Sequence, residues 1–480
     1  MIPIDRRPSA TLFNSVACFF WAVFGLPMAM PASTAAEQNE PRIEGYTNQL
    51  SYTAGEEVAF HLSSNAALAS IRIERVGPSN QLVLEQAGVQ VSEQSIPDRA
   101  SSDGCNWPET WKFQLPKEWP SGFYEAILTT APASEGAPSG STKIHFIVRS
   151  PNPGETSKIL LQLSTNTWNA YTNWGGHSLY SFHDRDGLQG HRVSFNRPQA
   201  SGQFYNWESH FVRWAESNGY QLDYAANSDL EFHPELLTHY RLVLSVGHDE
   251  YWSSPMRDRL EAFIRDGGNV AFFSGNTCCW QVRSEEQGRA LTCWKQAFVL
   301  DPLFRNGDQR LLSTLWSHHL VGRPENQLTG VGFLWGGYHR SHGQLMDADG
   351  AYQVHRPEHW VFEGTELLKE QKFGGAQTIV GYECDGCELE WRDGLPRPTG
   401  RDGTPAEFEV LATAPARWAP DDSWWYDQFP KDRQGHAVLG IYTRGGTVFT
   451  CGSTDWAHGL SGSDPVVIRI TRNVLDRLSR

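Results

Sequence analysis

The sequence predicts an α/β protein in which a β-sandwich precedes a larger domain built on a mostly parallel sheet. Three observations support this prediction. Short segments that alternate apolar and polar residues fill the chain up to about residue 149, and a Pro- and Gly-rich joint follows at 150–154. Beyond the joint, buried strands alternate with amphipathic helices, which is typical of a parallel sheet with crossover connections.

The sequence pattern of the first folded segment, residues 41–150, predicts strands only. Residues 58–62 and 70–74 alternate in the manner of half-buried strands, and turn residues such as Gly77-Pro78 separate the segments at short intervals. Strands recurring at this spacing predict a sandwich of immunoglobulin-like size.

In the second segment, residues 155–480, the sequence pattern changes to strands alternating with helices. Residues 158–163, 220–225, 241–246 and 269–273 read as buried strands, with helices between them. Trp207, Phe211 and Trp214 share one helix face, and Pro255 stands in the first turn of another helix. Right-handed crossovers would then cover both sheet faces, as in the layering of glutamine-amidotransferase-like or flavodoxin-like proteins. Residues 437–442 and 447–451 add late strands to the same domain.

Residues 1–36 have the layout of a secretory signal. Arg6 and Arg7 precede an apolar run at 16–26, and small residues around Ala35-Ala36 suit cleavage. The run is too short for a permanent membrane anchor. We therefore expect a periplasmic or secreted protein with no membrane span in its mature chain.

The net charge limits the classes of partner, and the cysteines raise the question of disulfides. The formal charge is −15 and no long basic run occurs, which argues against nucleic acid as a partner. Seven of the eight cysteines lie beyond the signal. A structural disulfide is the preferred interpretation of Cys384 and Cys387, and either Cys278 or Cys279 could pair with Cys293.

Polar clusters follow the ends of three predicted strands. Residues 164–176 include Tyr171, residues 247–251 include His248 and Glu250, and residues 274–277 include Asn276. Because parallel strands end at one edge of a sheet, these clusters are expected to share one rim, where open α/β sheets bind ligands. Glu250 and His248 suit a metal or a proton-transfer pair, and the Asn276 amide could hold an oxyanion.

These motifs resemble a known family. Asn169-Ala170-Tyr171 with Gly175-Gly176, then residues 247–253, then Gly275-Asn276 are similar to the C-terminal domain of the N,N-dimethylformamidase large (beta) subunit family. The resemblance is close over residues 158–280 and looser beyond. It implies a mononuclear iron, held by two tyrosines and one glutamate, that activates water for amide hydrolysis.

The resemblance also implies site residues. Glu250 and Tyr171 match metal ligands, His248 and Asn276 match residues that handle the substrate, and Glu383 matches a further catalytic carboxylate. The stretch 191–198, which would supply the second tyrosine, contains none. Tyr180 and Tyr205 flank it and are both candidates. Tyr205 is placed in the predicted metal set with Tyr171 and Glu250.

The leading hypothesis is an exported, iron-dependent hydrolase of C–N bonds, other than peptide bonds, in a small amide. Zinc or no metal are the alternatives for the cofactor. A non-catalytic module for carbohydrate or cell-wall binding, a metal hydrolase acting on another exported substrate, and nucleophilic catalysis by Cys278 or Cys279 are alternatives for the function. A small-molecule substrate is expected, and the sequence allows for a homo-oligomer or a small partner subunit.

Overall fold

A computed structural model shows how the two segments fold. It describes residues 40–132, 138–181, 188–199, 202–339, 349–418 and 434–480. The predicted signal, residues 1–36, lies outside the described residues. In the described part of the chain, no helix combines the length and apolar character needed to cross a membrane.

The first segment consists of two small sheets and one short helix, α1 (Ala100–Asp103). One sheet has the order β1-β3-β6, and the other has the order β2-β8-β7-β4-β5. The strands are β1 (Ile43–Thr47), β2 (Ser51–Tyr52), β3 (Glu57–Ser64), β4 (Leu68–Val76), β5 (Gln81–Gln90), β6 (Trp111–Gln114), β7 (Gly122–Thr130) and β8 (Ser141–Val148). Alternate residues, such as Ile71 and Ile73 of β4, are buried between the sheets. The period-two pattern in the sequence therefore marks the buried face.

The second segment contains the remaining strands. They are β9 (Ile159–Leu163), β10 (Arg192–Ser194), β11 (Asp223–Ala226), β12 (Leu242–His248), β13 (Tyr251–Ser253), β14 (Asn269–Gly275), β15 (Trp280–Glu285), β16 (Ala290–Thr292), β17 (Gly332–Tyr338), β18 (Tyr352–Val354), β19 (Lys372–Phe373), β20 (Glu383–Gly386), β21 (Leu389–Arg392), β22 (Leu395–Pro398), β23 (Glu409–Arg417), β24 (Gln434–Arg444) and β25 (Gly446–Thr450).

The helices of the second segment are mostly short. They are α2 (Thr165–Tyr171), α3 (Gly202–Asn206), α4 (Glu208–Ser217), α5 (Asn227–Phe232), α6 (Ser254–Arg265), α7 (Pro302–Asn306), α8 (Asn326–Thr329), α9 (Trp456–Ser461) and α10 (Pro465–Leu478). Short 3-10 helices span Pro234–His239, Glu286–Gly288, Lys295–Leu300, Gln309–Leu311, Trp360–Phe362 and Gly375–Gln377.

The central sheet is mixed, and the prediction of a mostly parallel α/β domain is wrong. Strands β11-β9-β12-β14-β25 run parallel, but β25-β24-β23-β17-β20 pair antiparallel. A smaller mixed sheet, β10-β16-β15-β13, packs beside it. After residue 301 the chain connects its strands through loops and short helical turns, and antiparallel strands need no crossover helix. The protein is mostly β, and an immunoglobulin-like first segment is not confirmed.

The strands of the parallel half lie where the sequence predicts them. In β12, Leu244 and Val246 face one buried cluster and Val243 faces another, so both faces of the sheet are covered. The first cluster also includes Phe123 from β7, which packs against Phe204 of α3 with ring centroids 3.8 Å apart. Residues Pro41–Arg480 group as one compact unit. The division into 41–150 and 155–480 stays a prediction.

The predicted disulfide between Cys384 and Cys387 is wrong, because both are buried free thiols. Cys384 belongs to one of the two clusters that flank the sheet and Cys387 to the other. Residues three positions apart in an extended strand point to opposite faces, which holds their sulfur atoms apart. Cys278, Cys279 and Cys293 are buried free thiols as well.

Candidate active site

The carboxylate of Glu250 is the centre of the candidate site. Glu250 follows β12 and is 3% exposed. The hydroxyl of Tyr180 lies 2.9 Å from both carboxylate oxygens, and the indole nitrogen of Trp280 donates to Oε1 at 2.7 Å. The backbone N–H of Glu250 donates to the Thr167 hydroxyl at 2.9 Å. These contacts hold the carboxylate in one orientation.

His248, the last residue of β12, connects Glu250 to a second carboxylate. Its Nε2 lies 3.3 Å from Glu250 and 2.8 Å from Glu383, which begins β20. The side-chain amide of Asn276 donates at 3.1 Å to Oε2 of Glu383, the oxygen that His248 contacts. One of these two carboxylates thus accepts a hydrogen bond from an amide as well. An imidazole that lies between two carboxylates can hold a proton or transfer it from one group to the other.

Burial and charge act in opposite directions on these groups. Burial lowers the pKa of His248, but the charges and hydrogen bonds of Glu383 and Glu250 overcome it and raise that pKa to about 10. Burial raises the pKa of Glu383. Burial also acts to raise the pKa of Glu250, but the hydrogen bond and charge of His248, with the charge of Lys295, bring it below its usual value.

Three phenols stand beside the carboxylate. The rings of Tyr171 and Tyr180 have centroids 4.3 Å apart, and the Tyr171 ring lies 5.5 Å from His248. The hydroxyl of Tyr251 donates to that of Tyr180 at 2.7 Å. Burial raises the pKa of Tyr171 and of Tyr180 well above the ordinary value. A phenolate at either position therefore requires a strong nearby cation.

Lys295 supplies a buried cation to the same place, and the sequence reasoning missed it. Its Nζ lies 3.2 Å from the centroid of the Tyr180 ring and 5.0 Å from that of Trp280. Burial lowers the pKa of Lys295 to about 8. The residue begins a 3-10 helix after β16 and stands in no motif, so the only signal available was a lysine in an otherwise apolar stretch.

Several polar atoms of this site have no hydrogen-bond partner among the described residues. They are Nδ1 and Nε2 of His248, Oδ1 of Asn276 and Nζ of Lys295, although Nε2 lies within ion-pair distance of two carboxylates. Buried polar atoms are almost always satisfied in folded proteins, so four such atoms in one place require an explanation. Donors and acceptors held ready for a bound ligand provide one.

Two further carboxylates support the site without entering it. Asp249 accepts hydrogen bonds from Gln162, Ser245 and Asn227, which anchors the chain between His248 and Glu250. Asp385 accepts from the backbone N–H groups of Asn276 and Thr277, each at 3.0 Å.

The turn that carries Asn276 is strained and closely packed. Asn276 has a φ of +50°, a conformation that residues other than glycine seldom adopt. At the preceding Gly275, a Cβ would lie 2.5 Å from the backbone nitrogen of Thr454 and 2.6 Å from the carbonyl oxygen of Glu383. Glycine therefore lets β20 approach the end of β14 closely enough to bring Asn276 to Glu383.

Aromatic rings line the site on the side of His248. Trp207 and Tyr382 have ring centroids 5.3 and 5.9 Å from that of His248, and Tyr338 lies 6.4 Å from Tyr382. Apolar walls around a few polar groups are typical of pockets for small organic ligands.

The structure brings together Tyr171, His248, Glu250, Asn276 and Glu383. It does not bring Tyr205 to them, because the Tyr205 hydroxyl donates to Glu125 of β7 at 2.8 Å. Tyr180, the other candidate in the sequence, takes the place beside Glu250. We name the set Tyr171, Tyr180, His248, Glu250, Asn276, Lys295 and Glu383 the edge cluster, because β12, β14 and β20 meet there.

The cysteines near this edge are poorly suited to nucleophilic catalysis. Cys278 and Cys279 are fully buried, and burial raises the pKa of both thiols far above the ordinary value. A thiol must ionise to attack a substrate.

The donor set of the edge cluster fits a hard metal ion held by oxygen. The Tyr180 hydroxyl contacts the Glu250 carboxylate and the Tyr171 ring lies beside that of Tyr180, and oxygen ligands of this kind suit hard metal ions. In the described ranges no group of three or more histidine, cysteine, aspartate or glutamate side chains is arranged to hold a metal. A metal here would thus depend on tyrosine as well as Glu250.

A buried cluster of acidic, basic and phenolic side chains thus lies where the strand ends meet. The chain belongs to the family described as N,N-dimethylformamidase beta subunit-like, C-terminal, whose model matches residues 70–469.

Two relatives are named N,N-dimethylformamidase beta subunit. The protein from Alcaligenes sp is 24% identical over an alignment of 445 residues, and the match covers 78% of this chain and 54% of the relative. The protein from Paracoccus aminophilus is 25% identical over an alignment of 451 residues, and the match covers 79% of this chain and 55% of the relative. This chain thus spans about half the length of the relatives it matches. The Bacillus subtilis sporulation control protein Spo0M aligns at a TM-score of 0.17 and 11% identity over 24% of this chain and 51% of its own, a likeness that carries no argument.

Proposed function

We propose that this protein is a metal-dependent hydrolase that cleaves the C–N bond of a small amide. The observation that carries the proposal is the position of the Tyr180 hydroxyl, 2.9 Å from both oxygens of Glu250 and beside the Tyr171 ring. Two phenols and one carboxylate converge in a buried site, in a chain whose relatives are named for amide hydrolysis.

Tyr171, Tyr180 and Glu250 would hold the metal, for which iron is the proposed identity. A metal ion bound there would polarise the amide carbonyl and lower the pKa of a water molecule. Trp280 and Thr167 fix the orientation of Glu250 through its side chain and backbone.

The other residues of the edge cluster handle the substrate and its protons. His248 Nε2, held between Glu383 and Glu250, is placed to deliver a proton to the departing nitrogen. The Oδ1 of Asn276, which lacks a partner among the described residues, would accept a hydrogen bond that orients the substrate. The Nζ of Lys295, which also lacks one, would stabilise developing negative charge. Trp207 and Tyr382 form an apolar wall that suits alkyl groups on a small amide.

The test combines metal analysis with an assay on the full-length chain. Iron would be quantified in purified wild type and in Glu250→Ala, and hydrolysis of N,N-dimethylformamide would be followed by release of dimethylamine. The matched control is Glu235→Ala, an exposed glutamate. We expect iron and activity in wild type and in the control, and loss of both in Glu250→Ala. Equal iron in all three proteins would contradict the metal assignment.

The names of the relatives indicate that each is one subunit of an assembly. We therefore include a small partner subunit in the proposal. Measuring the mass of the protein purified from its native host, compared with the chain expressed alone, tests for such a partner.

A further inference from the structure

A cavity lies between the sandwich and the larger segment, away from the edge cluster. Its volume is about 290 Å³. The segment between β1 and β2 forms one wall, β8 contributes His145, and Arg289 of the loop before β16 stands opposite. None of its lining residues belongs to the edge cluster, so the proposed amide hydrolase does not use this cavity.

Arg289 brings an uncompensated positive charge to the cavity. Its guanidinium donates to the backbone carbonyl of Asn48 and to the side-chain oxygen of Asn196, which are both neutral acceptors. Among the described residues Arg289 is in no ion pair, although the charge of the Glu286 carboxylate acts on it. A partly buried guanidinium that meets only neutral acceptors has given up hydration without gaining an opposite charge.

The acidic residues nearby are already paired with other arginines. Asp229, which lines the cavity, lies 3.5 Å from Arg149 and also accepts from the backbone N–H of Ala226 at 2.7 Å. Glu286 lies 2.6 Å from Arg192. Asp229 and Glu286 are therefore already engaged by other groups, which leaves Arg289 without an ion-pair partner among the described residues.

Two buried polar side chains of the cavity wall also lack partners. The Ser51 hydroxyl and the Nδ1 of His145 have no hydrogen-bond partner among the described residues, and these residues are 7% and 5% exposed. A hydroxyl and an imidazole N–H can both donate to an anion. They are independent of Arg289 in sequence and belong to the sandwich, so the wall is built from both segments.

We propose that this cavity binds a small oxyanion through Arg289, Ser51 and His145. The shared chemistry is a carboxylate or phosphate group. The volume equals that of about ten water molecules, so an organic anion of several heavy atoms fits beside the charged group. Tyr46 and Phe195, which also line the cavity, offer apolar surface to the rest of such a molecule.

The experiment is isothermal titration of the full chain with three probes, namely succinate, inorganic phosphate and the neutral analogue succinamide. We expect saturable binding of succinate or phosphate and none of succinamide. Binding of succinate alone assigns an organic carboxylate, and binding of phosphate alone assigns a phosphate ligand. No saturable binding of either anion would overturn the proposal.

Variants locate any binding that is observed. Arg289→Met should weaken it at least tenfold, whereas Arg259→Met, which removes an exposed arginine of α6, should leave it unchanged. Ser51→Ala, a smaller change, should weaken binding severalfold. It provides a second test of the site if Arg289→Met fails to fold, which circular dichroism would detect. Equal affinity in wild type, Arg289→Met and Ser51→Ala would place the anion elsewhere and overturn the proposal. Iron content and amide hydrolysis should stay unchanged in Ser51→Ala, which separates this site from the edge cluster.

Discussion

Two clusters of this protein contain the same kinds of side chain, yet they differ in how their carboxylates are compensated and in the burial of their lysines. One is the edge cluster. The other, which we name the sandwich cluster, consists of Glu125, Lys143, His145 and Tyr205. Each contains a buried carboxylate, a histidine, a lysine and a tyrosine.

In the sandwich cluster the carboxylate is compensated directly. Glu125 accepts from Lys143 at 2.7 Å and from Tyr205 at 2.8 Å. In the edge cluster, Lys295 instead lies over the Tyr180 ring, and its Nζ joins Oδ1 of Asn276 and Nδ1 of His248 as polar atoms that have no partner among the described residues.

The two histidines show the same difference in their proton affinity. The two carboxylates beside His248 raise its pKa to about 10, against the effect of burial. Burial lowers the pKa of His145 to about 4, and the charge of Glu125 offsets this only in part. Residue types alone therefore do not mark a reactive site. The number of carboxylates beside the histidine distinguishes the two clusters.

The strongest test of this comparison removes each carboxylate in turn. Glu250→Gln should lower amide hydrolysis about a thousandfold or more, because the carboxylate both holds the metal and pairs with His248. Glu125→Gln should keep the rate within about threefold and lower the free energy of unfolding by about 1–2 kcal/mol, because it weakens hydrogen bonds to a charged group. Dimethylamine release and urea unfolding measure the two effects. Comparable loss of activity in both variants would contradict the assignment of catalysis to the edge cluster and of stability to the sandwich cluster.

The next test separates the two tyrosines. Tyr180→Phe should lower kcat about a hundredfold and reduce the iron content, because it removes the hydroxyl in contact with Glu250. Tyr205→Phe should change neither, since its hydroxyl contacts Glu125. If Tyr205→Phe lost iron and Tyr180→Phe retained it, the assignment made here would be reversed.

A smaller effect is expected at Asp385, a positioning residue. Asp385→Asn should lower kcat/KM about tenfold to a hundredfold, because one of the two backbone N–H groups in the Asn276 turn loses its acceptor and the amide moves away from Glu383. Asn276→Ala should cause a loss of similar size, and the double variant should be little worse than either. Losses that simply multiply would indicate that Asp385 acts independently of Asn276.

A dependence of stability on pH is expected at His145. Its folded-state pKa of about 4 is below the ordinary value of 6.5, so the unfolded chain takes up a proton first as the pH falls. The stability that neutral His145 contributes is thus complete above about pH 6.5 and is lost as the pH falls towards 4, at a rate of at most about 1.4 kcal/mol per pH unit. His145→Phe should flatten the dependence of Tm on pH in this window. An unchanged slope between wild type and variant would contradict this account.

Much of the site could be predicted from the sequence. Tyr171, His248 and Asn276 follow strands whose apolar runs are visible, and parallel strands end on one edge. The second tyrosine could not be chosen in this way, because Tyr180 and Tyr205 both lie in segments without strand or helix signals. Lys295 had no motif at all, since its position depends on the smaller sheet that folds beside the edge.

The same limit explains the error in fold class. The helices between β9 and β14 make the parallel half visible, because crossover connections have a periodic pattern. The antiparallel half has no such signal, since its strands are linked by loops of irregular length. The pairing of β17 with β20 and β23 is set by long-range contacts that local periodicity does not describe.

By itself, the sequence determined the buried strands of the parallel half and the polar residues at their ends, because backbone geometry ties apolar periodicity to one or two sheet faces. Only the tertiary structure decided that Glu383 returns to His248, that Tyr180 rather than Tyr205 meets Glu250, and that Lys295 is buried among them. In the sequence, Glu383 is 135 positions from His248, and Tyr180 and Lys295 are 70 and 45 positions from Glu250. Such contacts arise when packing and hydrogen bonding across the whole core select one arrangement, and no local pattern contains that information.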